Sequence, residues 1–145
     1  MDIDIRRLVP QRSPVLMVDE LIDAQETCAL TRLTVRPGNW FLGQNGELAE
    51  PGLIEHMAQS ASALEGWKHL LAGNDQPPIG YIGEVKNFHC TRRPMVGEVL
   101  FTQVNVELEL AGVTMMGCET RVGQEVIATT KLKIALEKQK DVDRE

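Results

Sequence analysis

Glu55, Gln59 and Ser62 follow one another at steps of four and three, so a helix through them would present a carboxyl, an amide and a hydroxyl on one face. Glu55 falls in the first turn of that helix among small and apolar neighbours. The helix N-terminus favours its ionised form, whereas burial would raise its pKa. A carboxyl held in a dry cleft is how a protein obtains a general acid or base near neutral pH. The plainer role, an acid complementing the helix dipole, suits the same position. His56 lies about 100° around the helix from Glu55 and reads first as a hydrogen-bonded histidine near the core. His89 shares strand parity with Tyr81, Val85 and Asn87, which would turn it toward the helix and toward a carboxyl. Lys86, Arg92 and Arg93 form a small basic cluster, either solvated surface or a docking point for an acidic partner or a phosphate.

The elements that must carry these residues can be read from periodicity. Ile54, Met57, Ala58, Ala61, Leu64, Lys68 and Leu71 recur at helical steps, with Glu50, Pro51 and Gly52 ahead and Gly73 behind. This predicts one helix of about 20 residues, about 30 Å long. Its small residues suit a buried helix packed closely on a sheet. Leu100, Thr102, Val104, Val106, Leu108 and Leu110 alternate with polar neighbours, and Val126 to Leu136 repeats the pattern, so both are half-buried strands. Between them, VTMMGCETRV is bounded by Ala111-Gly112 and Gly123-Gln124, which are hairpin signals. A further strand spans about Ile79 to Cys90. Before the helix, VLMVDELIDAQ and CALTRLTV read as two strands joined near Glu26-Thr27. A loop from Pro37 to Glu50 carries Trp40 and Phe41 as apolar anchors. The expected order is two strands, one long helix and an antiparallel meander of four strands. A sheet around one helix keeps an open edge that pairing with a second copy would hide.

Composition fits that reading. The 145 residues are 43% hydrophobic and 25% charged, with a net charge of −6, which suits one globular α+β domain over residues 1–136 and a charged, frayed tail at 137–145. The acidic balance argues against broad nucleic-acid binding. The longest apolar runs are too short for a membrane helix, and the N-terminus lacks an apolar signal region. Cys28, Cys90 and Cys118 are an odd number at wide spacing, expected as free thiols in a cytoplasmic protein. No nucleophile elbow, phosphate loop, dinucleotide loop or zinc spacing is present in the sequence, so no metal or cofactor is expected.

Two stretches together resemble the 3-hydroxyacyl-carrier-protein dehydratases of the hotdog superfamily. Leu8-Val9-Pro10-Gln11-Arg12-Ser13-Pro14-Val15-Leu16-Met17-Val18-Asp19 is similar to the family's opening L-P-H-R-x-P motif, and Ile54-Glu55-His56-Met57-Ala58-Gln59 to its helical I-E-x-M-A-Q. A weaker match runs from Val85-Lys86-Asn87 through Arg92-Arg93-Pro94 to Gly97-Glu98. The resemblance implies a sheet wrapped around one helix and dehydration of a 3-hydroxyacyl thioester on the 4'-phosphopantetheine arm of an acyl carrier protein. It implies a homodimer or a heterodimer with another hotdog subunit. Glu55 carries over as catalytic residue, Gln59 as its polar neighbour, and Gln11, Gly52, Trp40 and Phe41 as substrate-contacting positions. In the fatty-acid-pathway members a loop histidine, contributed by the other subunit, works with the glutamate. Here the matching loop, Phe41-Leu42-Gly43-Gln44-Asn45-Gly46-Glu47, has none, and Gln11 stands where histidine is usual. His89, with His56 behind it, is the candidate replacement. The departures resemble a diverged branch from aryl-polyene and related gene clusters. An acyl-thioester hydrolase, or a silent subunit binding the carrier protein, are the other readings.

Overall fold

The computed structural model describes residues 1–136; the tail expected at 137–145 lies outside them. A short 3-10 turn η1 (Ile5–Arg7) precedes β1 (Glu20–Gln25) and β2 (Cys28–Thr34). The helix α1 (Glu50–Leu71) follows, then β3 (Gly80–Cys90), β4 (Val99–Leu110), β5 (Val113–Val122) and β6 (Glu125–Leu136). The six strands form one antiparallel sheet in the order β1-β2-β4-β5-β6-β3. Pro51 and Glu50 start the helix as expected, and Gly73, at φ +94°, follows its end.

α1 lies against β1 to β5 and η1, with Leu53, Met57, Ala61 and Leu64 fully buried against Leu21, Leu100, Val104 and Leu132. Small residues permit this approach. A Cβ on Gly66 would stand 1.9 Å from the carbonyl oxygen of Leu8, so the segment after η1 crosses the helix at a point that only glycine leaves free.

Three expectations need correction. Residues 15–19 are not strand: β1 begins at Glu20, because the backbone at Val15 and Met17 is bonded to α1. The last four strands are not one meander. β4 to β6 are sequential neighbours, but β4 also pairs with β2 while β3 lies beyond β6 at the sheet edge. The β3–β4 connection therefore crosses the ends of the strands between them. Thr91 donates its N–H to Ile127 O at 2.8 Å. Arg92 grips Glu98 at 2.7 Å and Glu125 at 3.0 Å. Finally, alternation on β4 holds inward from Leu100 to Val106, then a bulge between Val106 and Leu108 breaks it. Leu108 and Leu110 are consequently exposed.

Candidate active site

The first three turns of α1 collect the polar chemistry. Glu55 is half-buried, and its Oε1 accepts from Gln59 Nε2 at 2.8 Å. Gln59 is buried. Its Nε2 also donates to Val15 O at 2.8 Å, and its Oε1 accepts the N–H of Met17 at 2.6 Å. Because Met17 N–H can only donate, the amide can be oriented one way only, with its NH2 toward the carboxylate. Glu55 Oε1 is thereby held as an acceptor, and Oε2 carries no bond to the chain among the described residues.

Behind this clamp runs a buried network. His56 Nδ1 meets Met17 O at 2.6 Å, and Nε2 meets Thr102 Oγ1 at 2.7 Å. A carbonyl only accepts, so Nδ1 carries the proton and Nε2 accepts from the Thr102 hydroxyl. Thr102 Oγ1 lies 2.7 Å from Thr120 Oγ1, which becomes its donor. Burial pushes the His56 pKa down to about 4, against the bond to Met17 and the charge of Asp19. The ring is neutral at pH 7. With both nitrogens engaged and no exposed surface, His56 cannot reach a substrate; it positions Met17 and through it Gln59.

His89 does not face the helix either. Its Cα partner is Thr129, opposite Glu119, on the sheet face away from α1. β3 carries one-residue bulges between Ile82 and Glu84 and between Lys86 and His89, and the second puts His89 on the face opposite to Val85, which pairs with the buried Leu132. Asn87, at φ +52°, lies in the second. His89 lines an outer groove with Asn87, Asn105 and Lys131. Within one protomer Glu55 has no imidazole beside it.

The expected basic cluster is already neutralised. Lys86 pairs with Glu84 at 3.7 Å and Arg93 with Glu50 at 3.6 Å, while Arg92 is the clasp on Glu98 and Glu125. The Arg92 guanidinium holds the Glu98 carboxyl below its ordinary pKa. Arg92 and Arg93 tie the crossover to Glu98, Glu125 and Glu50, while Lys86 pairs within β3.

The loop before α1 also splits by role. Gly52 and Phe41 are a packing pair: a Cβ on Gly52 would lie 2.4 Å from Phe41 Cβ. Trp40 is 64% exposed and lines a surface groove with Pro14, Leu16 and Arg36. Gln11 is half-buried and makes no bond to Glu55; among the described residues its amide oxygen has no partner. Sequence reasoning missed Val15, Met17, Thr102 and Thr120. Thr102 was detectable as a hydroxyl at an inward position of an alternating strand; the Val15 and Met17 backbone left no signal.

A family model described as "ApeP-like: ApeP dehydratase" matches residues 3–143. A 3-hydroxyacyl-[acyl-carrier-protein] dehydratase FabZ from Lactobacillus helveticus is 26% identical over 134 residues, covering 89% of this chain and 88% of the relative. The FabZ of Dinoroseobacter shibae is 28% identical over 105 residues, 69% of this chain and 63% of that protein. Thus the chain matches less than two thirds of the latter's length. Among solved structures, the dehydratase heterocomplex ApeI:P from Xenorhabdus doucetiae superposes with a TM-score of 0.89 at 21% identity, over 96% of this chain and 94% of that one. That likeness establishes the hotdog fold.

Proposed function

Since the chain belongs to the ApeP-like dehydratase family, we propose that it removes water from a 3-hydroxyacyl thioester carried on the phosphopantetheine arm of an acyl carrier protein. The observation carrying this reading is the Gln59 clamp, which fixes one oxygen of Glu55 and leaves the other free. In the forward direction the free carboxylate oxygen takes a proton from C2. The C2 electron pair closes the double bond to C3, and the 3-hydroxyl leaves as water with the proton returned by Glu55. One carboxyl can serve both transfers, so the proton balance closes without an imidazole. Binding energy from the thioester arm and chain supplies the alignment.

A second hotdog subunit belongs to the same reading. β3 borders the sheet with one edge unpaired among the described residues, and Tyr81, Ile82 and Val85 on it are exposed. Pairing at this edge would cover them and supply a neighbouring subunit's groups to the cleft. One observation favours a second reading: with no imidazole beside Glu55, the chain suits the silent member of a pair.

Following water loss by mass spectrometry, on carrier-bound and pantetheine-bound 3-hydroxyacyl chains, separates these. Dehydration by the wild type that falls about 100- to 10,000-fold in Glu55→Gln supports the proposal. Free thiol instead would make the protein a hydrolase. Carrier binding without turnover would make it the silent subunit.

A further inference from the structure

The sheet wraps α1 incompletely, and Glu55 stands at the gap. Ile82 and Val85 of β3 pair with Ile134 and Leu132, both buried in the core, so their side chains point to the helix side of the sheet. Among the described residues they are nevertheless 41% and 38% exposed, because α1 packs chiefly on β2, β4 and β5. An apolar wall therefore faces open space beside the helix.

The opposite wall is the helix face that carries Glu55. Ser62 follows seven residues later, two turns on, so the two side chains share one face, with Ala58 at the turn between. Both are half-buried, whereas most of α1 from Gly52 to Gly66 is buried. Contacts place β3 along this face. A Cβ on Gly80 would stand 3.9 Å from Ser62 Oγ. Beyond the other end of β3, Arg93 meets Glu50 in the first turn of α1 at 3.6 Å. The strand thus runs beside the helix from the level of Ser62 to that of Glu50, and Glu55 lies within that span. About 10 Å of helix separates Glu55 from Ser62, the length of about eight extended carbon–carbon bonds.

We infer that the acyl chain lies between α1 and the inner face of β3, and that Gly80 and Ser62 set the chain length accepted. The inference rests on the dehydratase reading of Glu55. With C2 at the free oxygen of Glu55, the methylenes run past Ile82 and Val85, and a chain of about ten carbons ends level with Gly80. The missing side chain there lets longer chains pass. Pairing at the β3 edge would roof this cleft, but both walls belong to this chain. Among the described residues a Cβ on Gly80 would meet nothing closer than 3.4 Å, at Ile134 Cγ2 and Leu136 Cδ2, so a small side chain enters without displacing its neighbours.

The test pairs turnover with binding. Wild type, Gly80→Ala, Gly80→Val and Ser62→Leu are given 3-hydroxybutyryl- and 3-hydroxydodecanoyl-pantetheine, and each is titrated with saturated dodecanoyl-pantetheine. Gly80→Val and Ser62→Leu, which narrow the same point from opposite walls, should lower kcat/KM for the twelve-carbon chain about tenfold or more and leave the four-carbon chain near the wild-type value. Gly80→Ala should show a smaller loss of the same selectivity. An unchanged ratio between the two chains in Gly80→Val and Ser62→Leu would overturn the inference and leave the dehydratase reading in place. No turnover of either chain by the wild type, with dodecanoyl binding weakened in Gly80→Val, discards that reading and retains the cleft. Dodecanoyl binding unchanged in both variants, without turnover, discards both.

Discussion

At the residue scale the candidate site depends on Gln59. Its amide is held by two backbone groups, Val15 O and Met17 N, and presents its remaining bonding capacity to Glu55. Gln59→Leu removes that alignment without removing the carboxyl. A displacement on the order of 1 Å can cost about 100-fold in rate, so kcat should fall by that order with KM little changed, as steady-state kinetics would read. His56 makes a prediction in pH. Its pKa drops from 6.5 in the unfolded chain to about 4 in the fold. Between those values the unfolded state binds the proton and the native state does not, so stability rises with pH across that window. Acidifying from pH 6.5 toward 4 should remove about 3 kcal/mol. Urea unfolding at several pH values should show this slope, and His56→Gln should lack it.

At the element scale α1 is fixed from several sides. The segment from Leu8 to Met17 runs back along it: Leu8 meets Gly66, and Val15 and Met17 meet Gln59. One backbone stretch thus couples helix placement to the site. Gly66→Ala would drive a methyl into the Leu8 carbonyl and should destabilise by about 3 kcal/mol, read as a lowered Tm with weakened activity. On the sheet, bulges in β3 and β4 redirect side chains, and the Arg92 clasp holds the crossover that lets β4 reach β2.

At the scale of the whole molecule, the sheet ends at β3 with apolar side chains exposed beside an edge unpaired among the described residues. If the proposed pairing uses this edge, Val85→Lys, which places a charge on that strand, should shift the protein from two chains to one in light scattering. If Glu55 works in a cleft shared between subunits, activity should fall with it; a mass unchanged by the substitution would place any association elsewhere. Among the described residues no helix is long and apolar enough to cross a membrane.

The sequence by itself determined the long helix, both C-terminal hairpins and the placing of Glu55 and Gln59 together. Each follows from local periodicity or turn chemistry. Their neighbours were decided only by the tertiary structure. His89 turns outward because the bulge between Lys86 and His89 puts it on the face opposite to Val85, a change of parity that composition does not record. His56 is locked because Thr102, distant in sequence, arrives beneath it. Arg92 is paired because the crossover brings Glu98 and Glu125 to it. Periodicity reports which face a residue occupies, but partners far along the chain fix what each polar group meets.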